Sequence, residues 1–309
     1  MFFVSDNSFN TSFRPFLLLI ELHTKGDEGG CMKTIFLNQD NLGEWQKKSS
    51  PTVIALGFFD GLHNGHYKVI KTAWQKAKEK NVSLSVMSFF PHPKTVISNG
   101  KKQICYLMPQ SEKEEKLRQL GVDTYYIVEF DKEFAFLSPQ QFVEQYLLKL
   151  GVVHAVAGFD YSYGYKGAGH MGRLKADADG HIDVTVVEKE ECHGEKISST
   201  CIRKRLLNGK VEELPDFLGH LYEVKCDWDG FSLKLHPYYT LPAPGSYVVT
   251  IKNGQRTINT EMTVTEEHLL KSNAKLPLSL KGNLSIVWHR RLSEEMKPIY
   301  SDRPLIAFS

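Results

Sequence analysis

The pattern that most restricts the fold is an alternation that begins at Thr52. The run "TVIAL" (Thr52 to Leu56) has the length and β-branched content of a buried strand. A glycine-bearing turn follows, and then Val69, Ile70, Ala73, Trp74 and Ala77 recur at helical spacing. "LSVMSFF" is the next strand, and a helix is expected from Ser111, where Ser111 and Glu114 have the spacing of a capping box. "TYYIVEF" is again strand-like. Ser138-Pro139-Gln140-Gln141 then supplies an N-cap, a proline at the first helical position and a capping glutamine, opening a helix to about Leu150. "HAVAG" and "IDVTVVE" are two more strands, and "SSTCIRKRLLNG" is a helix stopped by Gly209. Such alternation predicts βαβ units: an α/β, Rossmann-like domain with a mostly parallel sheet, spanning residues 32–215.

After Leu218 the texture changes. "SLKLH", "GSYVVTIK", "RTINTEMTV" and "NLSIVWH" are short alternating runs divided by proline and glycine turns, which predicts a small all-β, barrel-like domain over residues 216–309 with a short helix near Ser293 to Met296. Residues 1–31 look foreign to both domains. Glu28-Gly29-Gly30 can be encoded by GAAGGAGG, a purine-rich ribosome-binding sequence just ahead of Met32, so these residues are read either as translated leader with Met32 as the physiological start or as a disordered extension.

Composition excludes several classes. With 38 Lys plus Arg against 36 Asp plus Glu, the net charge of +2 leaves no electrostatic footprint for nucleic acid or an anionic membrane. The longest apolar run near the N-terminus, "FLLLIEL", falls far short of the roughly 18–20 residues of a membrane span and lacks a small-residue cleavage site. The 5 cysteines are odd in number and form no C-x-x-C pair, which argues against a disulfide framework or a zinc site and for a reducing, cytoplasmic setting.

The turn after the first strand is where chemistry is expected. In "GFFDGLHNGH" the glycines Gly57, Gly61 and Gly65 let the backbone approach a ligand closely, and a helix starting near Asn64 or Gly65 places His63 at its mouth and His66 in its first turn. Two imidazoles can then donate to one phosphate chain alongside the helix N–H groups. The spacing is not that of a zinc protease, whose histidines stand at i and i+4 around a glutamate. An isolated histidine at such a point would more often be a cap, and a H-x-x-H pair could be half of a metal site. "GAGHMG" (Gly167 to Gly172) formally fits G-x-G-x-x-G without the preceding strand of a dinucleotide site, and is read as a mobile loop over the site. "SEKEEKLRQ" is read as a solvated helix face.

The turn resembles the H-x-G-H signature of nucleotidyltransferases and, more narrowly, the F-D-G-x-H-x-G-H element of bacterial FAD synthetases. "SFFPHP" (Ser88 to Pro93), "GFDYSYG" (Gly158 to Gly164) and "ISSTCIRKRL" (Ile197 to Leu206) are similar, in order, to three further motifs of that family. The resemblance implies adenylyl transfer from ATP to FMN, giving FAD and pyrophosphate, with Mg²⁺ accompanying ATP and its protein ligands unspecified. It implies catalytic roles for His63, His66 and Arg203. ATP binding is implied for Gly57, Phe58, Phe59, Asp60, Gly65, Asp160, Ser198, Ser199 and Thr200, and flavin binding for Phe89, Phe90, Pro91, His92 and Pro93. Phe89 could equally be a core residue at a strand end, and Asp160 a carboxylate that stabilises its loop. Where the family commonly carries an arginine after F-G, the nearby base here is Lys166. ATP and FMN are the expected partners, with self-association allowed and neither nucleic acid nor membrane expected.

Family members usually continue into a riboflavin kinase barrel. "LGHLYEVKCDWDG", "APGSYVVTIKNG" and "IVWHRRLSEEMKPIYSDRPL" resemble parts of it, but its G-R-x-L-G-F-P-T-A-N, N-P-T-F and E-x-H-hydrophobic-L-D-F elements have no counterpart, and "FSLKLHPYYTLPAPGSY" stands in place of the first. The expectation is a monofunctional FMN adenylyltransferase with a shortened kinase-like domain. The alternatives are a bifunctional kinase and adenylyltransferase, or a non-catalytic protein responsive to flavin or nucleotide.

Overall fold

The computed structural model describes residues 32–101, 104–254 and 256–292. The proposed leader and the closing helix near Ser293 lie outside these residues. The chain divides into two compact units. The first takes in the chain up to Lys204 with Glu213–His220 and Pro237–Thr240; the second takes Arg205–Glu212, Leu221–His236 and the chain from Leu241.

From the start the order is β1 (Lys33–Leu37), α1 (Gln39–Lys47), β2 (Thr52–Leu56), α2 (Asn64–Lys80), β3 (Ser83–Phe90), α3 (Pro93–Ile97), α4 (Gln110–Gln119), β4 (Thr124–Glu129), α5 (Lys132–Ala135) and α6 (Pro139–Phe142). Then come β5 (Val152–Gly158), the ribbon β6 (Ser162–Tyr163) with β7 (Gly169–His170), α7 (Met171–Asp177), β8 (Asp183–Val187), the ribbon β9 (Glu191–Cys192) with β10 (Glu195–Lys196), α8 (Ser199–Leu207) and α9 (Leu214–Leu218). Six strands make one sheet in the order β1-β4-β3-β2-β5-β8, with every neighbouring pair parallel. This is the Rossmann-like sheet expected from the alternation.

All of β2 is buried, because a parallel strand covered by helices on both faces is apolar along its whole length. Val53 and Ala55 pack with Val69, Ile70, Ala73 and Ala77 of α2 on one face. Ile54 and Leu56 pack with Phe142, Val143, Tyr146 and Leu147 on the other. From β2 the chain builds outward through β3 and β4, then crosses back to place β5 on β2's other side. The carboxyl ends of β2 and β5 therefore flank a topological switch point, where open α/β sheets bind ligands.

Several local expectations need correcting. α4 begins at Gln110, one residue before Ser111, and its N-cap is Pro109, without a side-chain cap; with Ser111 already inside the helix, the Ser111–Glu114 box does not cap it. On the same helix Lys113 is 1% exposed, so "SEKEEKLRQ" is not solvated throughout. The "GAGHMG" stretch is not a loop throughout but forms β7 and opens α7. The helix from Pro139 does reach Leu150, but it passes through a π-helical stretch at Val143–Leu147 and a 3-10 turn at Leu148–Leu150. Gly151 ends it at φ 77, where an added Cβ would lie 2.6 Å from the Ser50 carbonyl oxygen.

Tyr106 carries an additional pairing. Its N–H donates to the Tyr238 carbonyl at 2.6 Å, and its own carbonyl accepts from the Thr240 N–H at 2.8 Å, which is how Pro237–Thr240 joins the first unit. The second unit is one antiparallel sheet of β11 (Glu223–Trp228), β12 (Leu233–Leu235), β13 (Gly245–Asn253), β14 (Arg256–Val264), β15 (Leu270–Ser272) and β16 (Gly282–Arg291). Its order is β12-β11-β16-β13-β14-β15, and β12 comes back into contact with β15, so the sheet nearly closes as a barrel. Tyr247, Val249 and Ile251 alternate into its core with Met262, Val264, Leu284, Ile286 and Trp288. Among the described residues no helix is long and apolar enough to cross a membrane.

The reciprocal cap at Ser138 forms as its sequence implies: the Gln141 N–H donates to Ser138 Oγ at 3.1 Å and the Ser138 N–H to Gln141 Oε1 at 2.8 Å. Ser138→Ala should lower stability by about 1 kcal/mol, read as a lower urea midpoint with an unchanged slope.

Candidate active site

The loop between β2 and α2 shows why histidines stand where they do. His63 is the N-cap of α2, and its Nδ1 accepts the His66 N–H at 3.2 Å. An accepting Nδ1 is unprotonated, so the neutral ring carries its proton on Nε2 and has a donor there to offer. The His63 and His66 rings stack at 3.6 Å with 16° between planes, and His66 Nδ1 is buried with no hydrogen-bond partner. Burial pulls His63 down to about 4, and burial with the adjoining His63 and Lys113 holds His66 well below its ordinary range. Both rings are therefore neutral at physiological pH, and at this stacking distance two imidazolium charges would repel.

Asp60 has a different place from the one its motif suggested. It is 1% exposed and does not line the cavity described below. Its carboxylate accepts from the Leu107 N–H at 2.9 Å and the Met108 N–H at 3.1 Å, and it is ion-paired to Arg203. Burial pushes its carboxyl up, while Arg203, Lys113 and the two N–H groups pull the other way. Arg203 also donates to the Cys105 carbonyl at 3.1 Å and so turns toward Asp60. Lys113 donates to the Phe58 carbonyl at 2.9 Å, with its ammonium 4.9 Å from the Phe58 ring centre, and burial lowers it to about 8. Two buried charges thus brace the loop from behind.

In front of the loop lies a cavity of about 730 Å³. Its polar end is lined by Gly57, His63, Gly65, His66, Asp160, Lys196, Ser198, Ser199 and Thr200. Here the N-termini of α2 and α8 meet: a Cβ on Gly65 would stand 3.9 Å from the Ile197 carbonyl oxygen. Ser198 Oγ accepts the Cys201 N–H at 3.2 Å as a cap, and Ser199 Oγ donates to the Asp60 carbonyl at 2.9 Å. These hydroxyls hold α8 in place, and the convergence of two helix N-termini makes an anion site of the backbone. Asp160 is ion-paired with Lys196.

The other end is apolar, with Phe89, Pro93, Ile97, Phe130 and Phe134 in its lining, and Phe58 and Phe59 also line the cavity. Of the residues expected at the flavin, Phe89 and Pro93 line this cavity, and Phe89 is at once part of the core, its ring 5.7 Å from that of Phe134. Phe90, Pro91 and His92 do not line it. Phe90 projects from the opposite face of β3 toward Tyr106 and Tyr238, and His92 caps α3 through Nδ1. Sequence reasoning missed Phe130, Phe134, Ile97, Tyr161 and Lys196. Phe130 and Phe134, flanking a strand end, carry no pattern beyond that of core residues.

A family model described as FAD synthetase matches residues 45–201. The chain belongs to the FAD synthetase family. Among this family's relatives, a bifunctional riboflavin kinase/FMN adenylyltransferase of Listeria monocytogenes is 43% identical over 238 residues, 72% of this chain and 75% of that protein. A protein of the same description from Bacillus subtilis is 36% identical over 292 residues, 86% of this chain and 92% of that one. A second Listeria monocytogenes relative, described as FAD synthetase, is 33% identical over 69% of this chain and 88% of its own length. A solved structure described as a macrolide-efflux protein from Streptococcus pneumoniae superposes with a TM-score of 0.74 at 26% identity, covering 85% of this chain and all of that one (100%).

As a FAD synthetase family enzyme, the chain is a nucleotidyltransferase. The depressed His63 also has a thermodynamic signature. The unfolded ring binds a proton near 6.5 and the folded ring only near 4, so His63 contributes stability above pH 6.5 that is lost as the pH falls toward 4. His63→Gln, which does not titrate, should flatten that part of the profile of unfolding free energy against pH. A His63 imidazole NMR midpoint near 6.5 in the folded protein would contradict the assignment.

Proposed function

We propose that this chain makes FAD by transferring the adenylyl group of ATP to FMN, with release of pyrophosphate, and that it does not phosphorylate riboflavin. The observation that carries the first part is one cavity with two chemically distinct ends. One end, built from two helix N-termini and two neutral histidines, suits a phosphate chain; the other, walled by Phe89, Phe130 and Phe134, suits a planar aromatic ring.

In this reading a phosphate oxygen of FMN attacks the α-phosphorus of ATP in line, and the bond to the pyrophosphate oxygen breaks. The nucleophile is already an anion, so no general base is required, in keeping with histidines that stay neutral and donate. Catalysis is then positioning plus hydrogen bonds aimed at developing charge. Arg203 supports the reaction from behind, through Asp60. Mg²⁺ bound with ATP would be held largely by phosphate oxygens and water and would supply charge neutralisation along the phosphate chain. Of the cavity's carboxylates, Asp160 and Glu190 are paired with Lys196 and Lys68, and Glu188 also lines it; an oxygen set of this kind would suit the cation that accompanies the nucleotide.

Loss of the kinase reaction rests on the sequence between β11 and β13, where "FSLKLHPYYTLPAPGSY" replaces the kinase's phosphate-binding stretch. One observation favours the second reading, a bifunctional enzyme: the Bacillus subtilis relative described that way matches 86% of this chain. The two are separated by chromatography of products from ATP and Mg²⁺ with either FMN or riboflavin. FAD from FMN and no FMN from riboflavin is expected; FMN formed from riboflavin would establish the bifunctional reading. Changing His66→Ala should lower kcat/KM for FAD formation by roughly 100-fold or more with the fold retained by circular dichroism.

A further inference from the structure

The phosphate end of the cavity receives little positive charge from the residues its motifs emphasise. His63 and His66 are neutral, Arg203 is turned to Asp60 and Cys105, and Lys113 is sealed behind Phe58. A triphosphate is a polyanion, and hydrogen bonds from neutral donors leave most of its charge uncompensated. Three lysines line the cavity. Lys189 is paired with Glu191 at 2.5 Å, and the Lys166 ammonium lies 5.1 Å from the centre of the Tyr165 ring. The third is Lys196, which ends β10 and stands two residues ahead of Ser198, Ser199 and Thr200 at the mouth of α8.

The surroundings of Lys196 suit a cation that changes partners. Its ammonium is 4.6 Å from the centre of the Phe159 ring and paired with Asp160, both on the cavity wall. The two side chains are 39% and 58% exposed, so the pair is well solvated and weakly held, and a polyanion arriving alongside competes with one carboxylate. Asp160 keeps the ammonium over the cavity until then. We propose that Lys196 is the principal phosphate-binding cation of this site, its ammonium leaving Asp160 for the β- and γ-phosphates of ATP. The inference rests on the ATP-dependent reading above and adds to it a residue that no motif marks.

The test is equilibrium binding of ATP, ADP and AMP to the full chain and to Lys196→Gln and Lys196→Arg, with FAD formation by the parent followed separately. The parent should bind ATP more tightly than AMP. Lys196→Gln should weaken ATP about tenfold or more while leaving AMP within about twofold, and Lys196→Arg should recover most of the loss. The Gln variant's ATP term should also show a shallower salt dependence. Equal weakening of ATP and AMP would make Lys196 a brace for Asp160 and overturn the proposal, as would an unchanged preference or a parent with none. Intact discrimination without FAD formation would sink the reaction assigned above and leave the role of Lys196 standing.

Discussion

A single buried carboxylate gathers the parts of the first unit on which everything else rests. Asp60 sits between β2 and α2, and its oxygens receive the N–H groups of Leu107 and Met108 and the guanidinium of Arg203, while its carbonyl receives the hydroxyl of Ser199. Stretches separated by more than a hundred residues are thereby tied to one turn. Burial of that carboxylate outweighs the pull of its partners, and removing the Arg203 guanidinium would leave it without its ion pair at a cost of about 3–5 kcal/mol. The loop between β2 and α2 is thus held from behind by an ion pair and hydrogen bonds, with His63 and His66 on the cavity wall in front.

The same packing tolerates backbone that would be unfavourable elsewhere. Phe59 and Leu62 hold φ of 53 and 41, a region bulky residues avoid, and both are almost wholly buried. Packing fixes them, and the strain is kept where donors must be aimed beforehand. The stacked histidines follow suit: the cap at Nδ1 orients His63, and the His66 ring packs against it.

The parallel sheet, α2 and the cap at Ser138 were legible because each is a local pattern: short continuous apolar runs alternating with helices, a run of period 3.6, and a pair of residues at fixed spacing. The family motifs named the loops that meet at the cavity but not which way each side chain turns. Phe89 and Phe90 are neighbours in one motif, yet strand parity turns the first to the cavity and the second to Tyr106 and Tyr238, while Asp60, in the turn after β2, faces Leu107. Lys113 lay hidden in a run of charges, since nothing in "SEKEEKLRQ" shows that one lysine finds a carbonyl and a ring within reach. Lys196 was silent for a similar reason: a lysine before a serine pair has no pattern until the ribbon brings it beside Asp160. The π-helical stretch after Phe142, which carries Val143, Tyr146 and Leu147 into the core, has no counterpart in the local sequence pattern.

Tyr106 has a consequence for how such a chain can be taken apart. Its backbone groups are satisfied by Tyr238 and Thr240, which lie in sequence between β12 and β13. A gene divided after Pro215 would separate Tyr106 from both partners and leave a donor and an acceptor without the pairing they have here. Domains that travel between genes as independent cassettes meet at one seam. These two units are threaded through each other's sequence, so recombination at any single point inherits an incomplete module, and the pair is constrained to change together.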